Sequence, residues 1–262
     1  MAVSVQVVEP GIVCVTLSNP GRINALDGAI FEGLAELWPR LAADDSVAVV
    51  LVRGEGDNFS SGADLGSHLD RRSDIDELID RALLKTRFFA VPLVAAIRGA
   101  CVAGGLELVL ACDIRIAADD ARLGFPETSW GILPSGGGTM KLADQIGHAR
   151  AMDLLLTGRL ISGREAERIG LVSECRPADQ VWDTALARAR AVAATSRVAA
   201  RATKRAVALG HMTRYQAQEI AERGIVAEVR CSGHPEEGKA AFLEKRRPVF
   251  GRMPSGGGGE QA

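Results

Sequence analysis

No apolar run in this chain is longer than six residues, Val47 to Val52 being typical. A bilayer-spanning helix needs about 20, so no membrane segment is expected. Nor is there a basic excess: the formal net charge is −2, which speaks against nucleic acid or an anionic membrane surface as partner. The N-terminal residues lack a basic stretch followed by an apolar one, so no signal peptide is expected. The five cysteines, Cys14, Cys101, Cys112, Cys175 and Cys231, are odd in number and show no CxxC spacing. They read as small buried hydrophobes of a reducing, cytoplasmic setting. His68, His148, His211 and His234 form no HxxxH or HExxH pair, so no metal site is expected. No internal repeat has a readable period.

What the chain does have is core: 47% of its 262 residues are hydrophobic, enough for one large domain with or without an appendage. Val3 to Val8 and Ile12 to Leu17 flank Pro10-Gly11 and predict a hairpin. Apolar residues at Ala25, Ile30, Leu34, Leu37 and Leu41 have helical spacing. Val47 to Val52, Val91 to Ile97, Ile114 to Ala117 and Leu171 to Cys175 read as buried strands. Residues 66–90 read as charged and helical, the least constrained part of the chain. Short helices are expected over Thr139 to Ile146 and Ala151 to Leu156. Ser162 and Glu165 form a capping box pattern ahead of a helix ended by Gly170. Helices then follow at Ala178 to Ala194, Arg197 to Leu209, Thr213 to Arg230 and Pro235 to Arg246. Strands alternating with helices indicate an α/β fold with crossover connections. The expected organisation is an α/β core over 1–193, a helical region over 194–252 and a disordered tail over 253–262.

The informative stretch is Gly99 to Gly138. It contains a glycine-rich turn, then Gly104-Gly105-Leu106-Glu107-Leu108-Val109-Leu110. Apolar residues surround Glu107 on every side, so its helix has no wet face. A lone buried carboxylate is costly unless paired or used. Gly104 and Gly105 open that helix, where peptide N–H groups are unpaired and lie at the positive end of the dipole. Such a group can hold a developing oxyanion, and the loop Phe59 to Leu65 offers a second donor in the N–H of Ala63. Turns in which glycine simply fits account for the same residues. Glu127, twenty residues beyond Glu107, completes a potential acid/base pair, because two facing carboxylates drive their pKa values apart. Each also has a bland reading: a structural hydrogen-bonder for Glu107, a solvated loop residue for Glu127. Arg22 could bind a phosphate or be solvated.

With these residues set out, the sequence resembles the crotonase, or enoyl-CoA hydratase/isomerase, family over about Ile12 to Phe250. The resemblance rests on FSSGADL (59–65), IRGACVAGGLELVLACD (97–113), LGFPETSWGILPSGGGT (123–139), TGRLISGREAERIGLV (157–172) and AFLEKRRPVF (241–250). It implies a spiral of repeated β-β-α units followed by a C-terminal helical trimerisation region, assembled as a trimer or a dimer of trimers. The implied ligand is an acyl-CoA thioester, its carbonyl oxygen held by the amides of Ala63 and Gly104. Coenzyme A would be part of the substrate, with no separate cofactor. The implied reaction is hydration of a 2-trans-enoyl-CoA to a 3-hydroxyacyl-CoA, with Glu107 as base and Glu127 as acid. Coenzyme A contacts are implied for Arg22, Ala63, Asp64 and Leu65, and from a neighbouring subunit for Phe242 and Lys245. Four positions depart from the family pattern: Ser61, Ala103, Trp130 and Ser135. Trp130 falls at the acyl pocket and would reshape it; residues 66–90 would line or cover that pocket. A double-bond isomerase of the same family and a non-catalytic acyl-CoA-binding protein are the alternatives.

Overall fold

The computed structural model describes residues 2–64, 66 and 72–251. Leu65 and the expected tail at 253–262 lie outside the described residues. The chain opens with an antiparallel hairpin, β1 (Val3–Glu9) and β2 (Ile12–Leu17). From β2 onward the backbone repeats one manoeuvre: a strand, a short extended segment turned away from it, then a helix. β2 leads to an isolated bridge residue, Leu26, and α1 (Gly28–Ala43). β3 (Val49–Gly54) leads to the bridge residue Ser60 and α2 (Ile75–Ala82). β4 (Leu93–Ile97) leads to β5 (Ala100–Val102) and α3 (Gly104–Val109). β6 (Ile114–Ala118) leads to β7 (Arg122–Gly124), a 3-10 turn at Pro126–Trp130, α4 (Gly138–Ile146) and α5 (His148–Thr157). β8 (Leu160–Ser162), α6 (Gly163–Arg168) and β9 (Glu174–Arg176) finish the α/β part. α7 (Val181–Ala193), α8 (Arg197–Cys231) and α9 (His234–Leu243) follow.

The first strand of each turn enters one six-stranded sheet, in the order β1-β2-β3-β4-β6-β9. All of its pairs beyond the hairpin are parallel. The second segments form a smaller sheet, β5-β7-β8, extended by the Ser60–Cys101 bridge. Two sheets fed in turn by successive repeats of the chain make a spiral. Its interior is filled by Phe31, Phe59, Phe125, Leu17, Leu51 and Leu93, all fully buried. Strands buried on both faces are continuous in Val, Leu and Ala, as parallel sheets require.

Four expectations are corrected by this architecture. The Gly99 to Gly105 stretch is not all turn: β5 lies inside it. Ala100 N–H donates to Asn58 Oδ1 at 2.8 Å and its carbonyl accepts from Ser60 N at 2.9 Å. The strand therefore depends on neighbours some forty residues away, which a local pattern does not contain. The helix expected across 66–90 covers, among the described residues, Ile75–Ala82. The capping box is half formed. Ser162 Oγ accepts from Glu165 N at 3.2 Å, but the Glu165 carboxylate turns to Arg159 at 3.0 Å instead of reaching back.

The largest difference is α8, one helix of 35 residues where two were expected. Gly210, in the expected break, costs about 1 kcal/mol relative to alanine, and tertiary anchors outweigh it. Arg201 donates to Val47 O at 3.0 Å, Lys204 pairs with Asp113 at 2.7 Å, Tyr215 Oη donates to Asp144 at 2.7 Å, and Arg230 pairs with Asp76 at 2.8 Å. α8 is thus held down mostly by polar side chains; among its residues only Tyr215, Glu219 and Glu222 are buried. No helix among the described residues is long and apolar enough to cross a membrane.

Candidate active site

The site forms where the loop after β3 meets the N-terminus of α3. Phe59 N–H is shared between the Arg98 and Ala100 carbonyls at 2.8 and 3.0 Å, and Ser60 Oγ donates to Asn24 O at 2.8 Å. These bonds hold the loop rigidly against β5. Gly62 then sits at φ +88°, and a Cβ there would lie 2.6 Å from Ala103 Cβ. Only glycine supplies both that backbone angle and that approach. The consequence is that Ala63 N faces Gly104: a Cβ built on Gly104 would lie 3.5 Å from Ala63 N and 3.9 Å from Glu107 Oε2. Two amides and a carboxylate therefore border one small space. Among the described residues, neither the Ala63 nor the Gly104 N–H donates to a protein acceptor. Ala103, the residue before α3, has φ +50° and ψ −131°, a conformation that strains a residue carrying Cβ.

All six residues of α3 are buried, Glu107 to 5% exposure. Its carboxylate is held by a part of the chain to which the motifs assigned no task. Gly138 N–H donates to Glu107 Oε1 at 3.0 Å, and the Gly136 amide adds a second bond. A Cβ on Gly136 would lie 2.3 Å from Glu107 Oε2, so any side chain there displaces the carboxylate. The run Gly136-Gly137-Gly138 before α4 is thus a cradle of backbone donors at a helix N-terminus, a signal for anion binding that the sequence does carry. Burial pushes the Glu107 pKa up to about 7, opposed by those two amides and by Lys85.

Glu127 is on the Pro126–Trp130 turn, buried to 5% exposure. Its Oε2 has no hydrogen-bond partner among the described residues. Burial first, and the neighbouring Glu107 charge second, hold its pKa well above the ordinary carboxylate range. A buried carboxylic oxygen without a protein partner, aimed at a cavity, is placed to meet a ligand. Glu107 is favoured as the ionised member of the pair and Glu127 as the protonated one, since amides of two other residues and Lys85 stabilise charge on Glu107, whereas Glu127 has only its own backbone N–H.

Both glutamates line one cavity of about 630 Å³, together with Ala63, Gly104, Trp130 and Phe242. Ile79 and Leu83, from the end of α2, give it an apolar wall, in the segment expected to line the pocket. Arg22 and Asp64 also line it, and they pair with each other at 2.8 Å. Lys245, by contrast, is exposed and does not line the cavity. Phe242 is a correction. It was expected from a neighbouring subunit, yet it lines the cavity of its own chain and meets Trp130 edge-on, ring centroids 5.3 Å apart at 89°. The reason is that α9 folds back on the Pro126–Trp130 turn with no side chain between. A Cβ on Gly238 would lie 1.8 Å from the Trp130 carbonyl oxygen. A wider groove, about 980 Å³, separates α8 from the sheet. Its acids Asp113 and Asp144 are both engaged, by Lys204 and Tyr215.

A family profile described as enoyl-CoA hydratase/isomerase matches residues 8–253. A probable enoyl-CoA hydratase of Mycobacterium bovis is 35% identical over 245 residues, covering 90% of this chain and 93% of its own. A 2,3-dehydroadipyl-CoA hydratase of Escherichia coli is 32% identical over 241 residues, covering 91% and 94%. The crystal structure of an enoyl-CoA hydratase/isomerase from Pseudoalteromonas atlantica superposes with a TM-score of 0.88 at 30% identity, covering 96% of this chain and 100% of that one. The wound two-sheet architecture is therefore the crotonase fold. The chain belongs to the enoyl-CoA hydratase/isomerase family.

Proposed function

We propose that this protein is an enoyl-CoA hydratase, adding water across the 2,3 double bond of an enoyl-CoA thioester to give a 3-hydroxyacyl-CoA. The observation that supports this most directly is the convergence of Glu107 and Glu127 on the space bordered by the Ala63 and Gly104 amides. The thioester oxygen accepts from those two N–H groups. As charge moves onto it in the transition state the amides strengthen their hold, and loss of one donor would cost about 3 kcal/mol of barrier. Water lies between the two carboxyl groups. Glu107 takes a proton from it, its oxygen bonds to C3, and Glu127 delivers its proton to C2. The water proton now on Glu107 returns to the pair through exchange at the site, restoring the starting state. No cofactor enters this chemistry, and coenzyme A is part of the substrate. An isomerase would need the carboxylate at Glu127 alone; an ionisable Glu107 held by two amides favours hydration.

The lining by Ile79, Leu83, Leu133, Trp130 and Phe242 suits an uncharged acyl group. Arg22, at the mouth, is the basic residue among the described lining and would approach a phosphate of coenzyme A; Asp64, in the loop after β3, pairs with it. Lys245, exposed after α9, would reach the nucleotide of a neighbouring subunit in a trimer or dimer of trimers. The buried free thiols of Cys14, Cys101 and Cys112 suit a reducing cytoplasm. The test is loss of enoyl-thioester absorbance on a panel of 2-trans-enoyl-CoA substrates, against migration of the double bond in 3-enoyl-CoA. Turnover of the first kind supports the hydratase; the second alone gives the isomerase, and binding with neither gives a non-catalytic acyl-CoA-binding protein.

A further inference from the structure

The Glu107 cradle is anchored from a distant part of the chain. Thr139, next to Gly138, donates its hydroxyl to Glu222 on α8. The other Glu222 oxygen accepts from Lys85 Nζ at 2.9 Å, and Lys85 also pairs with Glu219. All three ionic side chains are buried, to 4%, 5% and 7% exposure for Glu222, Lys85 and Glu219. The Lys85 stem lies along the cradle, since a Cβ on Gly137 would lie 3.7 Å from Lys85 Cγ. Lys141, one turn into α4, donates to Leu84 O at 2.7 Å, beside Lys85. Three segments remote in sequence are thus tied at the N-terminus of α4, behind the carboxylate that the amides hold.

A buried ionic cluster is a poor way to gain stability, because desolvation offsets most of the Coulomb gain. Specifying one geometry is its better-attested use, and here the geometry specified is that of two amides aimed at Glu107. We propose that Glu222 is a positioning residue for Glu107, fixing the Gly136–Gly138 amides through Thr139 and setting the electrostatic field on the base from the α8 side. The inference rests on the hydratase reading for its consequence in turnover, though not for the field itself. The charged groups facing Glu107 are Glu127 from the 3-10 turn, Lys85 after α2, Glu222 with Glu219 from α8, and Lys141 from α4. Lys85 favours ionisation of Glu107 and Glu222 opposes it, while Glu219 is shared between Lys85 and Arg223.

Two variants separate positioning from mere packing. Glu222→Gln keeps an acceptor for Thr139 and removes one negative charge. The acid limb of the kcat/KM profile for enoyl-CoA hydration should then move to lower pH, by about half a unit or more. Thr139→Val removes the tether; kcat should fall about tenfold or more with KM nearly unchanged, and Thr139→Ser should restore it. A purely structural cluster would lower thermal stability and leave the limb in place. A limb that stays put or rises in Glu222→Gln overturns the proposal, as does a Thr139→Val enzyme with undiminished kcat. Should Glu222→Gln fail to fold, the Thr139 pair decides alone. Should the unaltered protein show no hydration at all, the hydratase reading fails separately. Carbon-13 titration of Glu107 in glutamate-labelled protein, assigned with Glu107→Gln, then decides: a lower midpoint in Glu222→Gln upholds the field effect and an unmoved or higher one refutes it.

Discussion

Glu107 and Glu127 share burial but not company, and that asymmetry sets their roles. Glu107 faces two amides, whereas Glu127 Oε2 faces only the cavity and the other carboxyl. Replacing either by glutamine should lower kcat for hydration by about 10²- to 10⁴-fold, the usual contribution of a positioned acid or base. With the Glu107 pKa near 7, activity should decline as pH falls below neutrality and the base is protonated. The same shift links to stability. Between the ordinary glutamate value of 4.5 and about 7 the folded protein retains a proton that the unfolded chain releases. Wild-type stability therefore decreases as pH rises through that window. The amide introduced by Glu107→Gln cannot ionise, so the melting temperature of that variant relative to wild type should rise from pH 5 to pH 8. A constant gap would contradict the raised pKa. Glu107 could be singled out in the sequence because no neighbour on its helix is polar. Its cradle could not be read so directly: the donors are backbone amides of residues 136 and 138, and a list of side chains does not show where peptide N–H groups point.

At the scale of elements, the site depends on how closely α3, α4 and α9 approach one another. Gly136→Ala places a methyl group on Glu107 Oε2 and on Leu83. Displacing the base by about 1 Å should cost about 10²-fold in kcat, with circular dichroism unchanged. Gly238→Ala lifts α9 from the Trp130 backbone and should destabilise the fold by about 1–3 kcal/mol, with tryptophan emission shifting to the red as Trp130 and Phe242 separate. An unshifted spectrum and unchanged melting point would show that α9 does not rest there. Periodicity and apolar runs located α1, α7 and the strands β2, β3, β4 and β6, whereas the strand expected over Leu171 to Cys175 forms only at Glu174–Arg176. Periodicity missed β5, β7 and β8, three residues apiece, because strands that short are made by their partners. It divided α8 at Gly210 because the ion pairs that override a helix-breaking residue come from elements far along the chain. It could not foresee Phe242 in its own cavity, since docking of α9 depends on Gly238 meeting Trp130 across more than a hundred residues.

At the scale of the whole molecule, α8 and α9 lie against the spiral, α8 through polar anchors and α9 on the Pro126–Trp130 turn. α8 exposes Val198, Val207, Leu209, Ile220 and Ile225, from 55% to 80%. That much exposed apolar side chain on one helix is characteristic of an interface. Sedimentation velocity should therefore give a species of three or six chains, each 27.6 kDa; a monomer at micromolar concentration would contradict the trimeric reading. The central claim is narrower: one water molecule, held between Glu107 and Glu127, is added to a thioester polarised by the Ala63 and Gly104 amides. The most direct measurement is mass spectrometry of the product formed from a 2-trans-enoyl-CoA in oxygen-18 water. The account predicts a 3-hydroxyacyl-CoA carrying the labelled oxygen, formed by the unaltered protein and lost in both glutamine variants. Unlabelled, rearranged enoyl-CoA as the sole product, or labelled product undiminished in either variant, would contradict it.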